Sequence, residues 1–226
     1  MAKRLVGARL VLARRRAGTS PAPTNMLKVG LTGSIAVGKS HVLSIFRELG
    51  CHTIDADRIA REVVTPDSEG LKLVVESFGN EVLKLDGGLD RQKLGTIVFA
   101  DEAKRRQLNS ILHPLIIAAQ DEQIRKLEVA DPKGIVIIDA ALMIESGGYR
   151  RMDKLIVVYC EPEIQLQRLM RRDGLARDAA ESRVAAQMPQ DEKKTFADFL
   201  INTSGDHSQT RAQVEDVYRE LRALAV

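Results

Sequence analysis

The octapeptide Gly33-Ser34-Ile35-Ala36-Val37-Gly38-Lys39-Ser40 follows the spacing GxxxxGK[ST], whose residue types suit the capture of a polyphosphate. Small residues let the chain turn tightly. Backbone N–H groups from about Ala36 to His41 can then converge on a β-phosphate at the positive end of a helix. Lys39 is placed to reach the β- and γ-phosphates, and the Ser40 hydroxyl to ligate Mg²⁺. Gly33, Ser34, Ala36, Val37, Gly38, Lys39, Ser40 and His41 are therefore the expected nucleotide-binding residues.

Two further carboxylate positions bear on phosphoryl chemistry. Ile137-Ile138-Asp139 ends an apolar run with an acid, where it can hold a metal directly or through water, or cap the next segment. In Ile54-Asp55-Ala56-Asp57 one aspartate can cap the following helix while the other faces a site. The two share a face only if the segment is still extended. A DxD pair also serves the metal of nucleotide-sugar transferases, a reading the phosphate loop upstream weakens. No Asn-Lys-x-Asp occurs, which argues against a guanine-reading GTPase. Arg168 and Arg172 lie four apart, and Arg177 follows across Asp173-Gly174. Such a run is either a solvated basic face or a set of forks that neutralise phosphate charge.

These groups need rigid elements to hold them. Leu27 to Thr32 reads as a strand, and Val42, Ile45, Phe46 and Leu49 recur at helical spacing up to Gly50. Further strands are expected at His52–Ile54, Gly134–Asp139, Leu155–Tyr159 and Phe199–Ile201. Between them, helical material runs to Phe78, Asp86-Gly87-Gly88 turns the chain, and Asp90 and Asp101 are candidate N-caps. Pro114 opens or kinks a long helix to about Val129, and Pro162 starts a helix through Arg172. Asp178 with Glu181 has the spacing of a capping box. Val214, Val217, Tyr218, Leu221 and Leu224 stripe a closing helix. Strands alternating with helices predict an α/β fold with a five-stranded, mainly parallel sheet covered on both faces. Ligands of such sheets bind beyond the carboxyl ends of the strands.

Composition agrees with a globular protein. The 226 residues are 44% hydrophobic and 29% charged, and a chain this long buries roughly 70% of its unfolded surface without staples. Two distant cysteines, Cys51 and Cys160, form no metal-type or disulfide pattern. The most apolar stretch, residues 134–144, is about half a membrane span and contains Asp139. A cytoplasmic, membrane-free protein is expected. The net charge of +3 comes from residues 1–25, with six basic and no acidic side chains; the rest holds 28 basic against 31 acidic. With few aromatics and no tryptophan, nucleic acid is not an expected partner. Residues 1–25, ending in a Pro- and Ser-containing stretch, are read as a basic extension outside the fold, either a transit leader or an upstream segment.

From Met26 onward the sequence resembles the dephospho-CoA kinases. The likeness rests on GLTGSIAVGKS at 30–40, IDAD at 54–57, VVTP at 63–66, LDR at 89–91 and VFAD at 98–101. It continues through LHP at 112–114, LMIES at 142–146, QRLMRRD at 167–173 and INTSG at 201–205. The resemblance implies a three-layer P-loop kinase fold with a helical acceptor-binding insertion at about 58–130 and a lid at about 168–190. It implies transfer of the ATP γ-phosphoryl group to the ribose 3′-hydroxyl of dephospho-CoA, with Mg²⁺, the last step of coenzyme A synthesis. It also implies that Asp57 takes the proton of that hydroxyl, that Arg91 and His113 lie on the acceptor side, that Arg168, Arg172 and Arg177 belong to the lid over ATP, and that Asn202 passes near adenine.

Family members usually carry glycine where Ser34 and Ala36 stand, and Pro-Leu-Leu at residues 141–143, here Ala-Leu-Met. Ala36 matters most, because a non-glycine residue is strained at positive φ. Two other readings remain compatible with the loop: another small-metabolite or nucleoside-monophosphate kinase, and a catalytically silent nucleotide-binding regulator.

Overall fold

A computed structural model of the chain describes residues 26–225; the basic segment 1–25 lies outside the described residues. The described residues form two compact units, one made of residues 26–54 together with 127–225, the other of Asp55–Lys126.

The first unit is built on five strands: β1 (Leu27–Thr32), β2 (His52–Asp55), β3 (Ile135–Asp139), β4 (Lys154–Tyr159) and β5 (Phe199–Asn202). Their order across the sheet is β2-β3-β1-β4-β5. β1 is central, paired in parallel with β3 and β4, and β4 pairs in parallel with β5. The register sets Leu31 beside Asp139, so the carboxyl ends of β1 and β3 are neighbours. β3 and β4 are apolar throughout their middles because both faces are covered.

Helix α1 (Lys39–Glu48) buries Val42, Ile45 and Phe46, the stripe its spacing predicts. Together with Val214, Val217 and Leu221 they pack on Val29, Leu31, Ile137, Ile156 and Val158 of the sheet. Fully burying each such side chain contributes about 1.5–3 kcal/mol. The helix stops where Gly50 takes φ +90° and Cys51 N–H donates to the Phe46 carbonyl.

The second unit carries α2 (Ala56–Glu62), α3 (Glu69–Phe78), α4 (Arg91–Ala100) and most of α5 (Glu102–Ala130). Its own core is Val64, Leu71, Val74, Phe78, Val82, Leu89 and Leu94. Asp90 caps α4 through the amides of Gln92 and Lys93, and Asp101 accepts from Ala103 and Lys104 at the start of α5. Pro114 lies inside α5, twelve residues after its start, so the helix runs through it rather than opening at it.

The remaining helices return to the first unit: α6 (Pro162–Asp173), α7 (Arg177–Ala185), α8 (Gln190–Lys194) and α9 (His207–Leu224). Pro162 occupies the first turn of α6 and Gly174, at φ +65°, ends it. The capping box expected at Asp178 and Glu181 does not form. α7 begins two residues earlier, with Ala176 at the N-cap position and no side-chain cap, and Glu181 instead binds Arg177. A reciprocal capping box does stand at Asp206 and Gln209, opening α9. Among the described residues, no helix is long and apolar enough to cross a membrane.

Candidate active site

The phosphate loop leaves the carboxyl end of β1 and enters α1. A Cβ at Gly33 would come 2.5 Å from the Val158 carbonyl oxygen, so only glycine passes here. Ala36 stands at φ +60°, in the left-handed region that costs an alanine about 1–2 kcal/mol. The departure from glycine noted in the sequence therefore falls where the backbone demands it least comfortably. Gly38, at φ +87°, is the N-cap of α1 and offers no side chain to its amides. Orphan N–H groups at the positive end of a ten-residue helix suit an anion.

Side chains from outside the loop brace it. Ile35 N–H donates to Gln187 Oε1 at 2.8 Å, and Gln165 Nε2 donates to the Ile35 carbonyl at 2.8 Å. Gln190 in turn anchors Gln165, giving Nε2 to Gln165 Oε1 and accepting from Cys160 N–H. On the far side of Ala36, the Thr203 hydroxyl donates to the Val37 carbonyl at 2.6 Å, and Arg168 donates to Thr203 Oγ1 and to its carbonyl. Arg168 thus braces the loop through Thr203. The Ser34 hydroxyl and His41 Nε2 are buried without a hydrogen-bond partner. The His41 ring lies 4.3 Å from that of His207. Its pKa is lowered, first by burial and then by the neighbouring charges of His207 and Arg211.

The charged groups meet at the adjoining strand ends. Lys39, the first residue of α1, places its ammonium on Asp139 Oδ1, and both side chains are largely buried. Ser40 follows on the exposed side of the same turn. Hydroxyl and carboxylate oxygens are the donors a hard cation such as Mg²⁺ takes, so the donor chemistry present fits that ion. Just beyond Asp139, the Ala141 carbonyl accepts from both Thr32 Oγ1 and Lys193 Nζ. Lys193 is fully buried on α8 and pairs with Glu145 at 2.8 Å.

The arginines differ in setting. Arg172 lies on Asp173, and Arg177 makes a fork to Glu163 and a further bond to Glu181. The hydrogen bonds from Arg177 and Arg172 hold the Glu163 and Asp173 carboxyls below their usual range. All of these groups except Asp173 have about half of their side chain exposed, and exposed pairs of this sort are worth about 0–1 kcal/mol each. Asn202, at the end of β5, is fixed through its backbone by Gln213 and accepts from Ser204 N–H with its own Oδ1.

In the helical unit, Asp55 is the N-cap of α2, accepting from Arg58 N–H at 2.8 Å. The capping role falls to this aspartate, and Asp57 stands exposed in the first turn. Arg91 is the first residue of α4, exposed, with a long 3.4 Å contact to the Arg61 carbonyl. His113 is half-buried in α5, directly before Pro114. Gln165, Gln187, Gln190, Thr203 and Lys193 were absent from the expected set. Only Gln165 carries a local signal, a polar residue on the buried side of an amphipathic helix.

Comparison with known proteins gives this site its family. Residues 27–209 match the family model described as dephospho-CoA kinase. A dephospho-CoA kinase domain-containing protein of Danio rerio is 45% identical over 199 residues, covering 87% of this chain and 86% of that one. The dephospho-CoA kinase of Geobacillus kaustophilus is 42% identical over 200 residues, covering 88% and 98%. Among solved structures, a Thermus thermophilus protein superposes with a TM-score of 0.75 at 28% identity over 87% of this chain and 98% of its own. Dephospho-CoA kinase from Campylobacter jejuni gives 0.64 at 32% identity over 88% and 98%. The loop, the strand order and the sequence match from β1 into α9 all point the same way, and the chain belongs to the dephospho-CoA kinase family.

Proposed function

We propose that the chain transfers the γ-phosphoryl group of ATP to the ribose 3′-hydroxyl of dephospho-CoA, giving CoA and ADP. The observation that carries the proposal is the pairing of an uncapped helix start with the Lys39 ammonium and the Asp139 carboxylate at adjoining strand ends. Family membership selects the acceptor and disfavours the other readings of the loop, a different small-metabolite or nucleoside-monophosphate kinase and a silent regulator.

In the reaction the 3′-oxygen bonds to the γ-phosphorus as the bond from that phosphorus to the β-bridging oxygen breaks. The hydroxyl proton passes to Asp57. The transition state is loose, so the oxygen needs little basicity early and an exposed aspartate suffices. Amides of the loop and Lys39 hold the β- and γ-phosphates in line. Ser40 and Asp139 are the residues that would hold Mg²⁺, which would supply positive charge against that developing on the transferring phosphoryl group. Arg172 and Arg177 serve as lid cations: their carboxylate partners bind them weakly enough for a phosphate to compete. Asn202 borders the adenine side, while Arg91 and His113 in the helical unit act on the acceptor.

Mass spectrometry of the product formed from dephospho-CoA, ATP and Mg²⁺ tests donor, acceptor and reaction together. The expected product is heavier than dephospho-CoA by one phosphoryl group. Turnover on another acceptor only, or none on any acceptor from a folded protein that binds ATP, overturns the assignment.

A further inference from the structure

The phosphate loop contains a left-handed alanine, and the two peptide groups on its N-terminal side are gripped by side-chain amides. Gln187 accepts from Ile35 N–H, which belongs to the peptide joining Ser34 and Ile35, and Gln165 donates to the Ile35 carbonyl, which belongs to the peptide joining Ile35 and Ala36. An alanine at φ +60° gains by returning to negative φ. The local route is a rotation of the Ile35–Ala36 peptide, which swings the Ile35 carbonyl away from its present direction. Gln165 opposes that rotation. It is 1% exposed, and its other end is held by Gln190, whose Oε1 is in turn fixed by Cys160 N–H at the end of β4.

We infer that Gln165 and Gln187 are positioning residues for nucleotide: they hold the loop in the conformation that presents its amides, against the preference of Ala36 for another. Neither needs to touch the nucleotide. Because the clamp is uncharged, its effect is independent of pH across the neutral range. Because Gln187 follows α7, the segment after α6 is tied to the loop through one side chain.

This inference rests on reading the loop as the ATP site, and the experiment separates the two. Steady-state kinetics with ATP and dephospho-CoA, and calorimetric binding of MgATP, are measured for the parent, Gln187→Met and Gln165→Met, each also carrying Ala36→Gly. Loss of one clamp should raise the KM for ATP about tenfold, as expected for one buried hydrogen bond. The KM for dephospho-CoA should stay within about twofold. With glycine at 36, which has no preference to resist, the same losses should shrink to about threefold or less, a coupling that a merely structural role would not create. Gln187 is only half-buried, so Gln187→Met keeps the test open if Gln165→Met fails to fold. Equal rises in both KM values, no change in either, or losses undiminished by Ala36→Gly overturn the clamp. Failure of the parent to bind MgATP overturns the ATP site itself.

Discussion

Lys193→Met removes a buried ammonium while keeping nearly the volume of its stem, and the cost follows from what remains. Lys193 has no exposed side-chain area and makes two bonds, to Glu145 at 2.8 Å and to the Ala141 carbonyl at 3.0 Å. The carbonyl keeps the Thr32 hydroxyl at 3.2 Å and is not orphaned. Glu145 is left charged and without this partner, but its side chain is 24% exposed and can be rehydrated in part. Breaking a fully buried pair costs about 3–5 kcal/mol, so about 2–3 kcal/mol is expected here. In a domain of this size each kcal/mol moves Tm by about 2–4 °C, placing the variant about 4–12 °C below the parent. Urea unfolding at 25 °C followed by circular dichroism reads the free energy, and a thermal melt reads the midpoint. The double variant Lys193→Met/Glu145→Gln removes the stranded charge and should recover at least about 1 kcal/mol. A single variant within about 0.5 kcal/mol of the parent, or a double variant no better than the single, refutes the reasoning.

Lys39→Ala should lower kcat by at least about 100-fold in a chain that still unfolds cooperatively; a variant with parental turnover removes the loop from the chemistry. Asp57→Asn should bind MgATP as the parent does while kcat falls by about 10²–10⁴, and full turnover would reassign the proton acceptor. The Cys51 thiol is pushed up to about 12 by burial, so at pH 8 a maleimide should label it only after unfolding; prompt labelling of the native chain contradicts that burial. His41 titrates below its ordinary value when folded, so as pH falls below about 6.5 the unfolded chain takes up its proton first and stability is lost. Replacing it by Gln should flatten the slope of unfolding free energy between about pH 6.5 and 5, and an unchanged slope would place the proton elsewhere.

Much of the site was legible because its signals are local. The loop's glycine and lysine spacing, the β1 apolar run and the Val42, Ile45, Phe46 stripe each lie within one or two turns of chain, where covalent geometry sets which residues can share a face. Asp90 and Asp101 were likewise readable as caps, since a cap bonds amides only two or three residues away. The choice between Asp55 and Asp57 was not, because both have the chemistry to cap and the outcome depends on where β2 stops. The Asp178–Glu181 spacing failed as a capping box for a long-range reason. Arg177 pairs with Glu163, fourteen residues back, and with Glu181.

The sequence by itself therefore determined the chemistry available to this protein: a phosphate-loop motif, a strand-end carboxylate, a pair of aspartates after the second strand and a run of arginines, in an alternating α/β order. The tertiary structure alone decided how that chemistry is held. Gln165 and Gln187 reach back 130 and 152 residues to Ile35, Thr203 reaches 166 to Val37, and Lys193 reaches 52 to Ala141. No periodicity encodes such pairs, because a hydrogen bond between distant residues is specified only when parallel strands bring their ends together and leave a buried polar group to be satisfied.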